Sequence, residues 1–152
     1  MELKIISYHK KYAKDFHNLN IEWLEKYFYV EEHDKEVLEN PKTYIIDKGG
    51  FIFFALYNNE IVGTAALMNE DEGYELSKMA VKPKYQGLKI GQHLMTHCLD
   101  FSIEKGWKEL FLYSNRSLEN AIYIYKKFGF KDVPFEGSPY SRGDIKMVLN
   151  LK

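Results

Sequence analysis

Ala80-Val81-Lys82-Pro83-Lys84-Tyr85-Gln86-Gly87-Leu88-Lys89-Ile90-Gly91-Gln92 is the stretch on which the fold turns. An apolar strand ends at Val81, and Pro83 cannot continue an interior strand. Gly87 and Gly91 bracket the entry to a helix. The N–H groups of a first helical turn lack backbone acceptors and sit at the positive end of the helix dipole, so they suit an anion. Glycine lets a phosphate come close to the backbone. Lys84 and Lys89 add positive charge. The spacing matches neither the Gly-Lys-Ser/Thr phosphate loop nor Gly-x-Gly-x-x-Gly. Taken alone, the run is equally an ordinary strand-to-helix turn.

Working outward, the residues before the turn read as a meander. Phe51–Tyr57 and Ile61–Met68 are strands joined at Asn58-Asn59, a hairpin signal. Residues 69–73 form a polar turn and Tyr74–Val81 is the third strand. Upstream, 3–8 is a short strand. Tyr12, Phe16, Leu19, Trp23 and Tyr27 recur at helical spacing over 12–29. Residues 31–39 form a second helix, stopped by Asn40-Pro41. Downstream, Ile90, Leu94, His97, Cys98 and Phe101 share a helical face that ends at Gly106. A strand over 110–113, a helix over 120–128 and a hairpin of 130–133 with 145–151 complete the chain. The loop 134–144 joins the last two strands. The strand-helix-strand unit 74–113 calls for a right-handed crossover and one parallel pair. The expected class is α+β: a mixed, mostly antiparallel sheet flanked by helices, in one domain spanning 1–152.

With 152 residues and 45% hydrophobic content, the chain can bury a sizeable core. A formal net charge of −1 gives no reason to expect nucleic acid. The opening residues lack the apolar core of a signal peptide, and no apolar run is long enough to cross a bilayer. A cytoplasmic protein with no membrane partner is expected. One cysteine, Cys98, leaves no intrachain disulfide. Cys98 reads as a buried structural thiol. His93 and His97 have the spacing of a metal pair, but no Glu follows His93, so no metal is expected.

The turn resembles motif A of the GNAT superfamily of N-acetyltransferases, Gln/Arg-x-x-Gly-x-Gly/Ala. Gln86 fills the first position and Gly91 the last, while Lys89 stands where the family usually has its middle glycine. Asn120-Ala121-Ile122-Tyr123-Ile124-Tyr125-Lys126-Lys127-Phe128-Gly129-Phe130 is similar to the family's motif B, with a tyrosine four residues before Gly-Phe. The resemblance implies a GNAT-like fold and an acetyl-CoA-dependent N-acetyltransferase. Its acceptor would be a primary amine of a small molecule or protein, attacking the thioester directly. The protein would act as a monomer or homodimer.

The resemblance also implies site residues. The 74–81 strand would splay from the 110–113 strand, and the pantetheine arm would pair with backbone groups of Met79 and Val81. Gln86, Gly87, Leu88, Lys89, Ile90, Gly91 and Gln92 would hold the pyrophosphate. A strand N–H at Met79 or Ala80 would stabilise the charge developing on the acetyl oxygen. Tyr125 matches the family's general acid, though periodicity alone would make it a core tyrosine. Glu75, six residues before Val81, is the candidate base or else a solvated strand charge. Asn115 and Asn120 are candidate contacts to the coenzyme arm, with helix capping the other reading of Asn120. Trp23, Tyr27, Glu31, Tyr140 and Arg142 are candidate acceptor contacts. Arg142 would bind a substrate carboxylate or pair with Asp144. The alternative function is a non-catalytic CoA- or acyl-CoA-binding regulatory or interaction module, which needs the turn but neither acid nor base.

Overall fold

The computed structural model describes residues 2–137 and 142–152. Its strands are β1 (Leu3–Ser7), β2 (Phe51–Tyr57), β3 (Glu60–Glu70), β4 (Gly73–Val81), β5 (Glu109–Ser114), β6 (Lys131–Val133) and β7 (Ile145–Asn150). They form one sheet in the order β1-β2-β3-β4-β5-β7-β6. Every neighbouring pair is antiparallel except β4 and β5. The helices are α1 (Ala13–Tyr27), α2 (Glu32–Glu39), α3 (Ile90–Glu104) and α4 (Glu119–Lys127). This is the expected mixed, mostly antiparallel sheet with flanking helices. Among the described residues, no helix is long and apolar enough to cross a membrane.

Both faces of the sheet are covered. Phe53 and Ala55 of β2 face the α3 side, where Leu94, Met95 and Cys98 are buried. Ile52 and Phe54 face the α1 and α2 side against Phe16, Leu19, Val37 and Leu38. A strand buried on both faces reads as an unbroken apolar run. Burial pushes the Cys98 thiol up to about 12, as an inert core cysteine requires. The β2–β3 hairpin closes through Asn58 and Asn59, both left-handed at φ 47° and 70°, which suits the strand twist.

Three details depart from expectation. The polar turn expected at 69–73 is tighter, because β3 runs on to Glu70 and β4 starts at Gly73 with φ 132°. After α2, Pro41 leads into a π-helical turn, Lys42–Ile46, that buries Ile45. Helix α4 begins a residue early, with Leu118 in the capping position.

Two features of β4 position the site. Opposite β3, Thr64 pairs with Ala80 and Ala66 with Ser77, so Lys78 and Met79 together oppose Ala65 alone. This is a β-bulge, and Lys78 adopts φ +54° within it. Opposite β5, pairing is confined to Tyr74 with Leu110 and Glu75 with Phe111. Beyond Glu75 the two strands part, while β5 stays paired to β7 along its whole length.

Candidate active site

A cleft of about 820 Å³ opens where β4 and β5 part. The end of β4, the following turn and the start of α3 form one wall. The end of β5 and the start of α4 form the opposite wall, and α1 with α2 closes the third side.

The turn has the backbone geometry that the start of an anion-accepting helix requires. Gly87 has φ +91°, and Lys89 is left-handed at φ +59°, ψ 26°, directly before α3. That conformation explains why the middle position usually carries glycine: any other L-residue there is strained by roughly 1–2 kcal/mol. The first bond of α3 runs from the His93 N–H to the Lys89 carbonyl at 3.0 Å. The N–H groups of Ile90, Gly91 and Gln92 therefore have no helical acceptor. A Cβ on Gly91 would meet only Val81 Cγ2, at an ordinary 3.9 Å. Internal packing thus does not demand glycine there, and its bare backbone faces the cleft. Tyr85 and Lys82 tie the turn to the β2–β3 hairpin, both donating to Glu60, at 2.8 Å and 3.0 Å.

Strand alternation sets which β4 groups reach the cleft. The Lys82 N–H donates to the Val62 carbonyl and the Ala80 carbonyl faces Gly63, so even-numbered groups here point to β3. Met79 and Val81 then direct their N–H and C=O into the gap left by β5. Of the two N–H groups expected to steady the acetyl oxygen, this places Met79 at the gap and turns Ala80 away.

Proton-handling groups meet at the same gap. Tyr125 on α4 is half-buried against Phe130 and lines the cleft. Burial pushes its phenol up to about 12, so it is neutral at pH 7. Glu75 is 4% exposed. Burial pushes it up to about 7, against the opposing charge of Lys78 and a Ser77 hydrogen bond, with Glu70 and Glu72 adding to the rise. A solvated strand charge is therefore the wrong description of Glu75. Lys78, not singled out from sequence, has only 5% of its side chain exposed, and burial lowers it to about 8 against the charges of Asp34 and Glu75. The bulge explains its position. Leu76 and Met79 pack on the α3 side and Ala80 on the α1 side, so alternation shifts by one residue between them. That shift turns Lys78 toward α2, 3.8 Å from Asp34. No sequence periodicity announces a bulge.

Asp34 is fully buried. Burial pushes its carboxyl up. Arg142 and the Glu31 N–H, which hydrogen-bond it, and the charges of Arg142 and Lys78 outweigh this and hold it below the usual range. Arg142 donates from Nη1 to Asp34 Oδ2 at 2.8 Å and Glu31 Oε2 at 2.9 Å, and from Nη2 to Asp34 Oδ1 at 2.8 Å. The pairing of Arg142 with Asp144 does not occur; Asp144 instead accepts the Arg116 N–H. Asn115 lines the cleft, but its side-chain amide donates to the Arg142 carbonyl and its oxygen accepts the Ser117 N–H. Asn120 also lines the cleft and sits inside the first turn of α4, so it does not cap that helix.

The cleft brings together Trp23, Tyr27, Glu75, Met79, Ala80, Val81, Gln86, Gly87, Lys89, Ile90, Gly91, Gln92, Asn115, Asn120, Tyr125 and Arg142. Leu88 is instead exposed at the surface, and Glu31 stands behind Arg142, on the far side of the ion pair from the cleft. Tyr140 lies outside the described residues. On the α1 wall Trp23 packs against Tyr27 and Phe28, with ring centroids 5.2 Å and 5.7 Å apart. Among the described residues no group of His, Cys, Asp and Glu is arranged to hold a metal.

The seven-stranded mixed sheet with flanking helices, parting beyond its one parallel pair, is the fold of the GNAT acetyltransferases. The chain belongs to the GNAT family of acetyltransferases, whose family model matches residues 17–130. It spans less than half the length of the first curated relatives it matches. One is an uncharacterised N-acetyltransferase of Dictyostelium discoideum, 33% identical over 79 residues that cover 51% of this chain and 37% of that protein. The ribosomal protein bS18-alanine N-acetyltransferase of Haemophilus influenzae is 31% identical over 85 residues, 56% of this chain and 58% of that one. A GNAT acetyltransferase structure from Staphylococcus aureus superposes with a TM-score of 0.87 at 24% identity, covering 99% of this chain and 100% of that one. The PaiA N-acetyltransferase of Thermoplasma acidophilum, solved with coenzyme A, gives 0.77 at 21% identity and 99% coverage of both chains.

Proposed function

We propose that this protein transfers an acetyl group from acetyl-CoA to a primary amine of a small molecule or a protein. One observation carries the reading: a single cleft holds the unspent N–H groups of the α3 start, the freed edge of β4, and both Glu75 and Tyr125. The residues fit the coenzyme. Ile90, Gly91 and Gln92 would receive the pyrophosphate, and Met79 and Val81 would bind the pantetheine arm as an added strand. Acetyl-CoA supplies an activated acyl group with a thiol leaving group.

The chain's residues then divide the work. Glu75 takes a proton from the acceptor ammonium, so that a neutral amine attacks. The Met79 N–H steadies the charge gathering on the acetyl oxygen. Tyr125 gives its proton to the departing sulfur. Trp23 and Tyr27 offer aromatic faces to the cationic acceptor as it enters. Arg142 and Glu31 shape that entrance through the Asp34 ion pair rather than as loose charges.

The test is thiol release from acetyl-CoA with an amine panel. Spermidine and an alanine-terminated peptide belong in it, because relatives and structural neighbours are named for such acceptors. Tyr125→Phe should lower kcat about a hundredfold and leave acetyl-CoA affinity unchanged. Turnover unaltered by that change would remove the acid role. Coenzyme binding without turnover across the panel would select a non-catalytic acyl-CoA module instead.

A further inference from the structure

The acceptor end of the cleft already contains an amine. Lys78 belongs to the same β4 edge as Met79 and immediately precedes it, so its side chain leaves the backbone beside the N–H assigned to the acetyl oxygen. The bulge turns that side chain off the apolar α3 face and into the cleft. Glu75 lies three residues earlier on the same strand and lines the same cleft, and the two charges influence each other through space. Asp34 of α2 is at 3.8 Å, and Arg142 holds both of its oxygens from the opposite side.

We propose that the protein acetylates its own Lys78 at Nζ, drawing on the acetyl donor in the cleft and on Glu75 and Tyr125. The inference rests on the reading of the cleft as an acetyl-CoA site. A proton first passes from the Lys78 ammonium to the Glu75 carboxylate. The Nζ lone pair then forms a C–N bond to the thioester carbonyl carbon. The C–S bond breaks, and its electron pair leaves on sulfur, which takes a proton from Tyr125. The products are an uncharged amide at Lys78 and free CoA, with no oxidant or further reactant needed.

Two physical terms single out Lys78 among the lysines. With its pKa near 8, about one molecule in ten carries the neutral amine at pH 7, against about one in a few thousand for an ordinary lysine. Tethering beside the reacting carbon adds a high effective concentration that no surface lysine has. Burial also shields Lys78 from acetyl-CoA in bulk solution, so its label must come through the cleft. The groups that face it are Asp34, Glu75 and Arg142, with Glu70 further off. Acetylation would remove the cation that opposes the Glu75 rise and fill space at the acceptor end. The modified protein should therefore turn over external amines more slowly.

The full chain is incubated with acetyl-CoA and no acceptor, digested, and mapped by mass spectrometry. Lys78 should label about a hundredfold faster than the exposed Lys126 and Lys127. The rate per molecule should not change with protein concentration, and excess CoA should suppress it. Lys78→Arg should bind acetyl-CoA by calorimetry yet take no acetyl group at that position. Lys78 left unmodified while acetyl-CoA binds and external amines turn over would overturn the inference and leave the proposed function standing. Absence of acetyl-CoA binding would overturn both. Equal labelling of Lys126, Lys127 and Lys78, or a rate that climbs with protein concentration, would mark ordinary chemical or intermolecular acetylation and also overturn it. Should Lys78→Arg fail to fold, the wild-type map and its concentration dependence decide alone.

Discussion

Glu75 is where single-residue electrostatics meets function. Its carboxyl is pushed from 4.5 up to about 7 by burial, with Lys78 pulling the other way. A base works ionised, so turnover of external amines should fall about tenfold per pH unit below pH 7. Lys78→Met removes the charge that favours ionised Glu75, so the acid limb of the kcat/KM profile should move to higher pH. A limb that stays in place would mean that Glu75 is not the group being titrated. Stability should follow the same residue. The folded pKa lies above the unfolded one, so the contribution of protonated Glu75 is full below about pH 4.5 and is lost as pH rises through about 7. Glu75→Gln mimics the protonated form. It should unfold at a higher temperature than wild type at pH 8, with the gap closing toward pH 4.5 and a ceiling of about 3 kcal/mol. Thermal melts across that range check both sign and window.

At the scale of elements, two glycines separate what the fold needs from what the cleft needs. A Cβ on Gly50 would sit 2.8 Å from the carbonyls of both Ile45 and Leu67, where the π-helical turn lies over β3. Gly50→Ala should therefore cost about 1–3 kcal/mol in denaturant melts. Gly91→Ala meets nothing closer than 3.9 Å and replaces glycine in a helix, so stability should hold or rise by up to about 1 kcal/mol. The motif accepts Ala at this position, so one methyl group should leave coenzyme binding near wild type. Gly91→Val crowds the anion site with a branched side chain, and its acetyl-CoA affinity by calorimetry should drop at least about tenfold. Unchanged affinity in Gly91→Val would move the pyrophosphate away from the α3 start. These elements were unequally legible in the sequence. Gly87, Gly91 and Tyr125 sit at spacings that short-range pattern can register, and the meander shows its strands through apolar runs and turn residues. Neither the bulge at Lys78 nor the π-helical turn after Pro41 has such a local signal. The bulge becomes visible only in the β3–β4 register, and for that reason Lys78 escaped a residue-by-residue reading. Arg142 could be noticed, but not its pairing with Asp34, which lies far away in sequence.

For the molecule as a whole, β1 to β4 and β5 to β7 are joined inside the sheet by just two β4–β5 residue pairs. The cleft is the consequence of that shallow seam. Arg142, just ahead of β7, reaches Asp34 and Glu31 on the α2 side and so ties the two halves together across the acceptor end. A two-pronged guanidinium–carboxylate contact with one partner fully buried is weak as a net source of stability but expensive to break from one side. Arg142→Ala leaves Asp34 buried with only the Glu31 N–H and the more distant Lys78 to offset its charge, and should destabilise the protein by about 3–5 kcal/mol at pH 7. Arg142→Lys keeps the charge but not the fork, and should fall between the two. The pH dependence distinguishes loss of this ion pair from loss of packing. In wild type the Asp34 carboxyl lies below its usual 3.8, so its contribution is present above that pH and is lost as pH falls through the depressed value. The stability gap between wild type and Arg142→Ala should therefore narrow below about pH 4. A gap that persists unchanged into acid would assign the loss to the packing of the Arg142 stem. Because the tie crosses the acceptor end and not the turn at α3, its loss should raise KM for the amine while leaving acetyl-CoA affinity near that of wild type.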